Sequence, residues 1–123
     1  MCVFCEYLKK REKIIYENKL AFAIYDSFPV NKGHMLIMPK RHVASYFDLN
    51  EDEKNDINLL LEISKKHIDQ LFHPDGYNVG FNEGIYAGQT IMHCHVHLIP
   101  RYIGDVDNPK GGIRGVIPEK QKY

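Results

Sequence analysis

Ala87 to Tyr102 read AGQTIMHCHVHLIPRY, which sets His93, His95 and His97 at alternate positions in an otherwise apolar run. Such a run, closed by Pro100, predicts a β-strand. Side chains alternate between the faces of a strand, so the three imidazoles would share one face while Cys94, Val96 and Leu98 pack on the other. A single histidine on an apolar element is most simply a core residue satisfied by a carbonyl. Three in register are different: each unpaired ring nitrogen would cost roughly 1–3 kcal/mol if buried. The pattern points to chemistry, either on a bound group or at a metal, since alternate neutral imidazoles also suit a metal ion.

Working outward, "KIIYEN" and "AFAIYDSFP" predict two short strands meeting at Asn18 and Lys19, and "GHMLIMPK" a third that stops at Pro39. These can pair as an antiparallel meander. From Asn50 the apolar period changes to three and four, through Ile57, Leu60, Leu61, Ser64, Ile68, Leu71 and Phe72. Asn50 and Glu53 are placed as a capping pair, and "HPDG" ends this long helix. "YNVGFN" predicts a further strand, joined to the histidine run by the loop "EGIYAGQT". The last segment, "GDVDNPKGGIRGVIPEKQKY", is rich in Gly and Pro and predicts no regular element. Strands in runs with one long helix between them give an α+β class with an antiparallel sheet of about five strands.

The chain has 123 residues, 44% of them hydrophobic, enough for one modest core and most simply one domain. Its 16 basic and 16 acidic residues balance. That balance removes the global field that would gather nucleic acid or an anionic membrane, so an anionic ligand has to be gripped locally. Neither a secretory signal nor a membrane-spanning run is visible, and the expected location is the cytoplasm. Cys2 and Cys5 stand as C-x-x-C and Cys94 lies between two histidines. An odd count without an export signal does not read as a disulfide framework; C-x-x-C has the spacing of half a tetrahedral zinc site, or else is two reduced core thiols.

Beside the histidines, "NEG" (Asn82, Glu83, Gly84) and "GQT" (Gly88, Gln89, Thr90) bring amides, a hydroxyl and flexible backbone, groups that hold phosphate oxygens without net charge. Here the sequence resembles a known family. "HCHVHLI" fits the alternating signature of the histidine triad (HIT) superfamily of nucleotide-binding hydrolases and transferases. "YENKLAFAIYDSFPVNKGHMLIMPKRH", "NEG", "AGQT" and "IPR" are similar to its other segments in order and spacing, so that the resemblance spans Cys2 to Tyr102. It implies a HIT-like fold with a short N-terminal helix, a core over residues 1–102 and a C-terminal extension over 103–123.

The resemblance implies the roles. His95 matches the nucleophile that attacks an α-phosphorus to form a nucleotidyl-histidine intermediate, later hydrolysed. Its Nδ1 would then carry the proton, leaving the Nε2 lone pair free. His97 would meet a nonbridging phosphate oxygen, and Gln89 and Thr90 would donate to the phosphate and its leaving oxygen. Asn82 matches another phosphate contact, Asp26 the acid that accepts ribose hydroxyls, and His34 a histidine near the triad; Phe4 and Ile24 would touch the base. Read without the resemblance, Asp26 is a turn former. Some bacterial-type members complete a structural zinc from C-x-x-C, the histidine of "PKxH" and the first triad histidine, here Cys2, Cys5, His42 and His93. Substrates would be dinucleoside polyphosphates or nucleoside phosphoramidates, with purine nucleotides bound and no catalytic cofactor. The alternatives are nucleotidyl transfer to phosphate, a regulatory nucleotide binder with vestigial activity, and a catalytic zinc on all three histidines. A homodimer through the long helix and its adjacent strand is expected. Lys110, Arg114, Lys120 and Lys122 in the tail could reach a leaving group or be solvated charge.

Overall fold

The computed structural model describes residues 2–123. A helix α1 (Val3–Lys10) leads into strands β1 (Ile14–Glu17), β2 (Ala21–Tyr25) and β3 (Met35–Pro39), then the long helix α2 (Glu51–Phe72), and strands β4 (Gly76–Gly80) and β5 (Val96–Arg101). The sheet order is β1-β2-β3-β5-β4 and every pairing is antiparallel. The fold is thus α+β, and the meander of β1 to β3 is as the sequence predicts.

Two clusters fill the two faces. On one, α2 lays Ile57, Leu60 and Ile68 over Ala21, Ala23, Met35, Ile37, Val96 and Leu98, with Cys94 among them. On the other, Phe4 of α1 covers Phe22, Ile24, Leu36 and Met38. β3 is buried along its whole length and β2 as far as Ile24, with Tyr25 half-buried, because both faces of the sheet are covered there. That is why their sequences are continuous apolar runs rather than alternating ones.

The caps act as read. Asn50 accepts from Glu53 N–H (2.8 Å) and Glu53 Oε1 accepts from Asn50 N–H (3.0 Å), a reciprocal capping box. Glu53, 3% exposed, also holds Arg41 through Nε–H (3.0 Å) and Nη2–H (2.9 Å). This forked pair ties the segment after β3 to the first turn of α2, next to His42. At its far end α2 stops at His73 in the left-handed conformation (φ 51°). Gly33 has φ +94°, and a Cβ there would lie 2.9 Å from the Phe72 ring, so only glycine lets the chain turn into His34 beneath the helix end.

One expectation is corrected. The regular strand begins at Val96, so of the triad only His97 lies in β5. The β3–β5 ladder ends at Ile37↔Val96. Pro39 has no N–H for a further rung, and its carbonyl is taken by the His93 ring instead (Nε2···O 2.8 Å). His93 to His95 lie outside the ladder, held by Cys94 N–H to Val43 O (2.7 Å). The alternation survives: Cys94 packs against the α2 side while His93 and His95 meet Phe4. The tail is also more ordered than its composition predicts, with single turns at Gly112–Val116 and Pro118–Lys120.

Candidate active site

His93 and His95 sit two residues apart and use opposite ring nitrogens. The His95 Nδ1–H donates to the backbone oxygen of His93 (2.8 Å). A neutral ring protonated at Nδ1 keeps its Nε2 lone pair, and that is the nitrogen left to face the pocket His95 lines. Phe4 meets the same ring edge-on at 5.1 Å and fixes its plane.

His97 is held by a second chain of bonds. Val30 N–H donates to His34 Nδ1 (3.0 Å), so the His34 proton sits on Nε2, which lies 2.9 Å from His97 Nδ1 and 3.4 Å from Asp26 Oδ2. His97 therefore accepts at Nδ1 and presents an Nε2–H donor. Burial lowers the pKa of both rings: His34 falls despite the opposing Asp26 carboxylate, and His97 is pushed down to about 4, with His95 and His34 adding to the effect. Both are neutral donors at physiological pH.

The pocket around these groups holds about 330 Å³. Asp26, Asn82, Thr90 and the backbone of Gly88 supply its polar wall, and Ile24 and Leu36 form its floor. The structure thus gathers His95, His97, Thr90, Asp26, Asn82, Phe4 and Ile24 at one pocket, with His34 directly behind His97. Phe4 and Ile24 are 3% and 1% exposed, so they offer edges and not open faces. Tyr7, Phe28 and Ile91 line the same space and went unread; each stands in a stretch where an aromatic or aliphatic residue has an equally good structural explanation. Asp26 keeps its turn role too, accepting Phe28 N–H at Oδ1 (2.8 Å).

Gln89 departs from the expected phosphate donor. Its side chain is buried, its Nε2 donates to Ala44 O (2.9 Å) and Ile91 O (3.2 Å), and its Oε1 accepts Gly84 N–H (2.9 Å). Both amide hydrogens are used, so none is left for a phosphate. Gln89 instead closes the loop Gly84–Gly88, whose end glycines have φ 89° and 97°. Spacing could not reveal this, because the partners Ala44 and Ile91 are brought to it by the fold.

At the other side of Phe4, Cys2, Cys5, His42 and His93 place four potential ligand atoms within 4.8 Å of one another. His93 Nδ1 lies 3.5 Å from Cys2 Sγ, 3.6 Å from Cys5 Sγ and 3.2 Å from His42 Nδ1; Cys5 Sγ is 3.4 Å from His42 Nδ1. A tetrahedral zinc with Zn–S of about 2.3 Å and Zn–N of about 2.0 Å has S···N edges of about 3.5 Å and N···N edges of about 3.3 Å. The donor set fits that ion in type and spacing. The His93 Nε2–H bond to Pro39 O leaves Nδ1 unprotonated and able to ligate, with the outer support that a metal-bound imidazole takes. Cys94 stays apart: burial pushes its thiol up to about 12, which makes it a core residue.

The five-stranded antiparallel sheet thus carries a cluster of histidines at one pocket and a cysteine–histidine corner beside it. Comparison with known proteins gives the family. The HIT domain profile matches residues 8–104, and the chain belongs to the HIT family. A HIT-like protein of Mycoplasma pneumoniae is 36% identical over 82% of this chain and 72% of its own. A bis(5'-adenosyl)-triphosphatase of Dictyostelium discoideum is 34% identical over 85% of this chain and 70% of its own. An AP-4-A phosphorylase of Mycobacterium tuberculosis is 33% identical over 76% of this chain and 49% of that protein. Among solved structures, a HIT family protein of Bacillus anthracis aligns with TM-score 0.79 at 35% identity, covering 85% of this chain and 75% of the other. A zinc-bound histidine triad protein of Mycobacterium smegmatis aligns with TM-score 0.76 at 31% identity, covering 85% and 77%. Among the described residues, no helix is long and apolar enough to cross a membrane.

Proposed function

We propose that this chain is a nucleotide hydrolase that cleaves a dinucleoside polyphosphate or nucleoside phosphoramidate at the α-phosphate, through a nucleotidyl intermediate on His95. The single observation that carries this reading is the His95 tautomer: Nδ1–H is committed to the His93 carbonyl, leaving Nε2 as an unshared lone pair at the pocket. That nitrogen attacks phosphorus, the bond to the leaving group breaks, and the leaving group departs with the electron pair. Water then cleaves the P–N bond, releasing the nucleoside monophosphate and a proton and restoring neutral His95. His97 donates from Nε2 to a nonbridging oxygen, its orientation set by the His34 Nε2–H bond, and Thr90 and Asn82 donate beside it. Asp26 Oδ2 accepts from the ribose, and Ile24, Leu36 and Phe4 receive the base.

Cys2, Cys5, His42 and His93 are assigned to one structural zinc, supported by the spacing above and by the zinc-bound relative. When bound, the zinc supplies folding energy by clamping α1 to the His93 segment; no reacting group is routed through it. With α1 clamped, Phe4 stays against His95 and excludes water from that side of the ring. The reading also takes the chain as one HIT domain, acting in the cytoplasm as a homodimer. Leu59 and Ile63 on α2 (53% and 43% exposed) and Val79 on the edge strand β4 (40%) support that pairing.

The test is a substrate panel: diadenosine polyphosphates against adenosine phosphoramidate, each with and without inorganic phosphate, followed by capture of labelled enzyme after a denaturing quench at alkaline pH, where a P–N bond to histidine survives. Turnover in water with label on a histidine is the expected result. Products bearing an added phosphate place the chain with the phosphorylases instead, and no labelled enzyme during turnover overturns the covalent step.

A further inference from the structure

The register of the sheet sets a row of residues across the cleft. Ile24 pairs with Leu36, Leu36 with His97, and His97 with Gly80. Directly paired residues share a face, and neighbouring strands are about 4.8 Å apart. On one side of His97 the row is the apolar floor of the pocket, Leu36 and Ile24. On the other side stands Gly80, without a side chain, and over it lies Ile113 of the C-terminal segment, 3.7 Å from where a Cβ would be. Next along the face, Asn78 pairs with Ile99 and its side chain borders Gly112. The C-terminal segment is therefore a wall on the same face as His97, opposite the base pocket.

This wall is built. A Cβ on Gly111 would stand 1.9 Å from Gln121 O, and one on Gly115 2.7 Å from Gln121 Oε1, so the return of residues 118–121 onto 111–115 depends on both glycines. Gln121 Nε2–H donates to Lys110 O (3.3 Å) and Arg114 Nε–H to Lys120 O (3.2 Å). Lys110 and Arg114 lie 5.3 and 4.6 Å from the centre of the Tyr123 ring. Between this wall and Val30–Asn31 runs a groove of about 670 Å³, bordered by Asn78, Ile99 and Lys122. Arg101 and Asp105 at its base neutralise one another (2.8 Å), Asp107 adds one carboxylate, and Lys122 is the cation of its lining that makes no ion pair among the described residues, while Arg114 lies over Tyr123 within the wall itself.

We propose that this groove receives the leaving half of the substrate, a polyphosphate carrying a second nucleoside, so that the C-terminal segment sets the preference for a large anionic leaving group. The proposal rests on the reading of the pocket as a nucleotide site. A nucleoside laid over Ile24 and Leu36, with its α-phosphate at His95 and His97, has its remainder directed along the row toward Gly80 and the tail. Lys122 meets the phosphates there, while Val30, whose N–H orients His34, ends the groove on the catalytic side.

The test is equilibrium binding of AMP and of diadenosine tetraphosphate to full-length chain carrying His95→Ala, alone and combined with Lys122→Glu. The charge reversal is expected to weaken the dinucleotide about tenfold while AMP changes less than about twofold. Equal weakening of both ligands, or none of either, overturns the proposal. Gly111→Ala, which displaces the wall without changing charge, is expected to show the same selective loss; an unchanged dinucleotide affinity in that variant counts against the wall. Failure of the nucleotide reading itself has another signature, AMP binding no better than inorganic phosphate before any tail change, and it removes this proposal as well.

Discussion

His93 and His95 are the same residue type, two positions apart, yet they face different chemistry. His93 gives its Nε2–H to Pro39 O and turns Nδ1 toward two thiols and His42; His95 gives its Nδ1–H to His93 O and leaves Nε2 for the pocket lined by Ile24, Leu36 and Asp26. The choice is made by which backbone oxygen each ring can reach. A carbonyl two residues back satisfies Nδ1 of a ring folded over its own chain, whereas a carbonyl across the sheet satisfies the far nitrogen. One imidazole is left with a free Nδ1 and the next with a free Nε2 without any change in the side chain. Phe4, edge-on to both rings at 5.7 and 5.1 Å, separates the two sites.

The largest expected effect breaks the nucleophile. His95→Ala should lower turnover by about 10⁴-fold or more with nucleotide affinity largely kept, measured by single-turnover kinetics and titration. Substantial residual hydrolysis would sink the assignment. On the other side of Phe4, Cys5→Ala should reduce bound zinc from about one equivalent per chain to near none, measured on protein purified without a histidine tag. An untouched metal content would show that the corner is two core thiols and two histidines.

A change at Gln89 tests whether the loop between the sites is held as the hydrogen bonds say. In Gln89→Glu a carboxylate faces the Ala44 and Ile91 carbonyls with no hydrogen to give, each lost bond costing about 1–3 kcal/mol. The expected outcome is a fall in kcat of about 100-fold with a small change in KM. A pure loss of binding would restore Gln89 as a direct phosphate contact.

The smallest effect is on stability against pH. The His97 pKa is about 4 in the folded protein against about 6.5 unfolded, so between these values the unfolded chain binds more protons. Stability is full above about pH 6.5 and is lost as pH falls toward 4, by up to about 3 kcal/mol, with the lowered His34 acting in the same direction. Urea midpoints at pH 7 and 4.5 measure it, and the slope should shrink in His97→Asn. A midpoint flat in pH would mean that the two rings are not held neutral.

Much of this was legible in the chain. Alternation in "HCHVHLI" separated Cys94 from the histidines, the spacing Asn50–Glu53 announced the capping box, and Pro39 and "HPDG" marked where a strand and a helix stop. These are local rules, in which periods of 2 and 3.6 and fixed dihedrals act within a few residues. Gln89 shows the limit: an amide in "GQT" beside a triad looks like a phosphate donor until Ala44, 45 positions away, takes one of its hydrogens. Phe28 and Tyr7 were missed for the same reason, since nothing near them in sequence says that they share a pocket with His95.

The sequence by itself determined the element order, the family to which the chain belongs, and which residue types could carry chemistry. Only the tertiary structure decided which nitrogen of each histidine is free, that Gln89 serves the loop, and that the C-terminal segment stands beside His97. The physical reason is that a side chain's identity sets what it can donate or accept, while at His93 and Gln89 partners brought from 45 to 91 residues away settle what is left over.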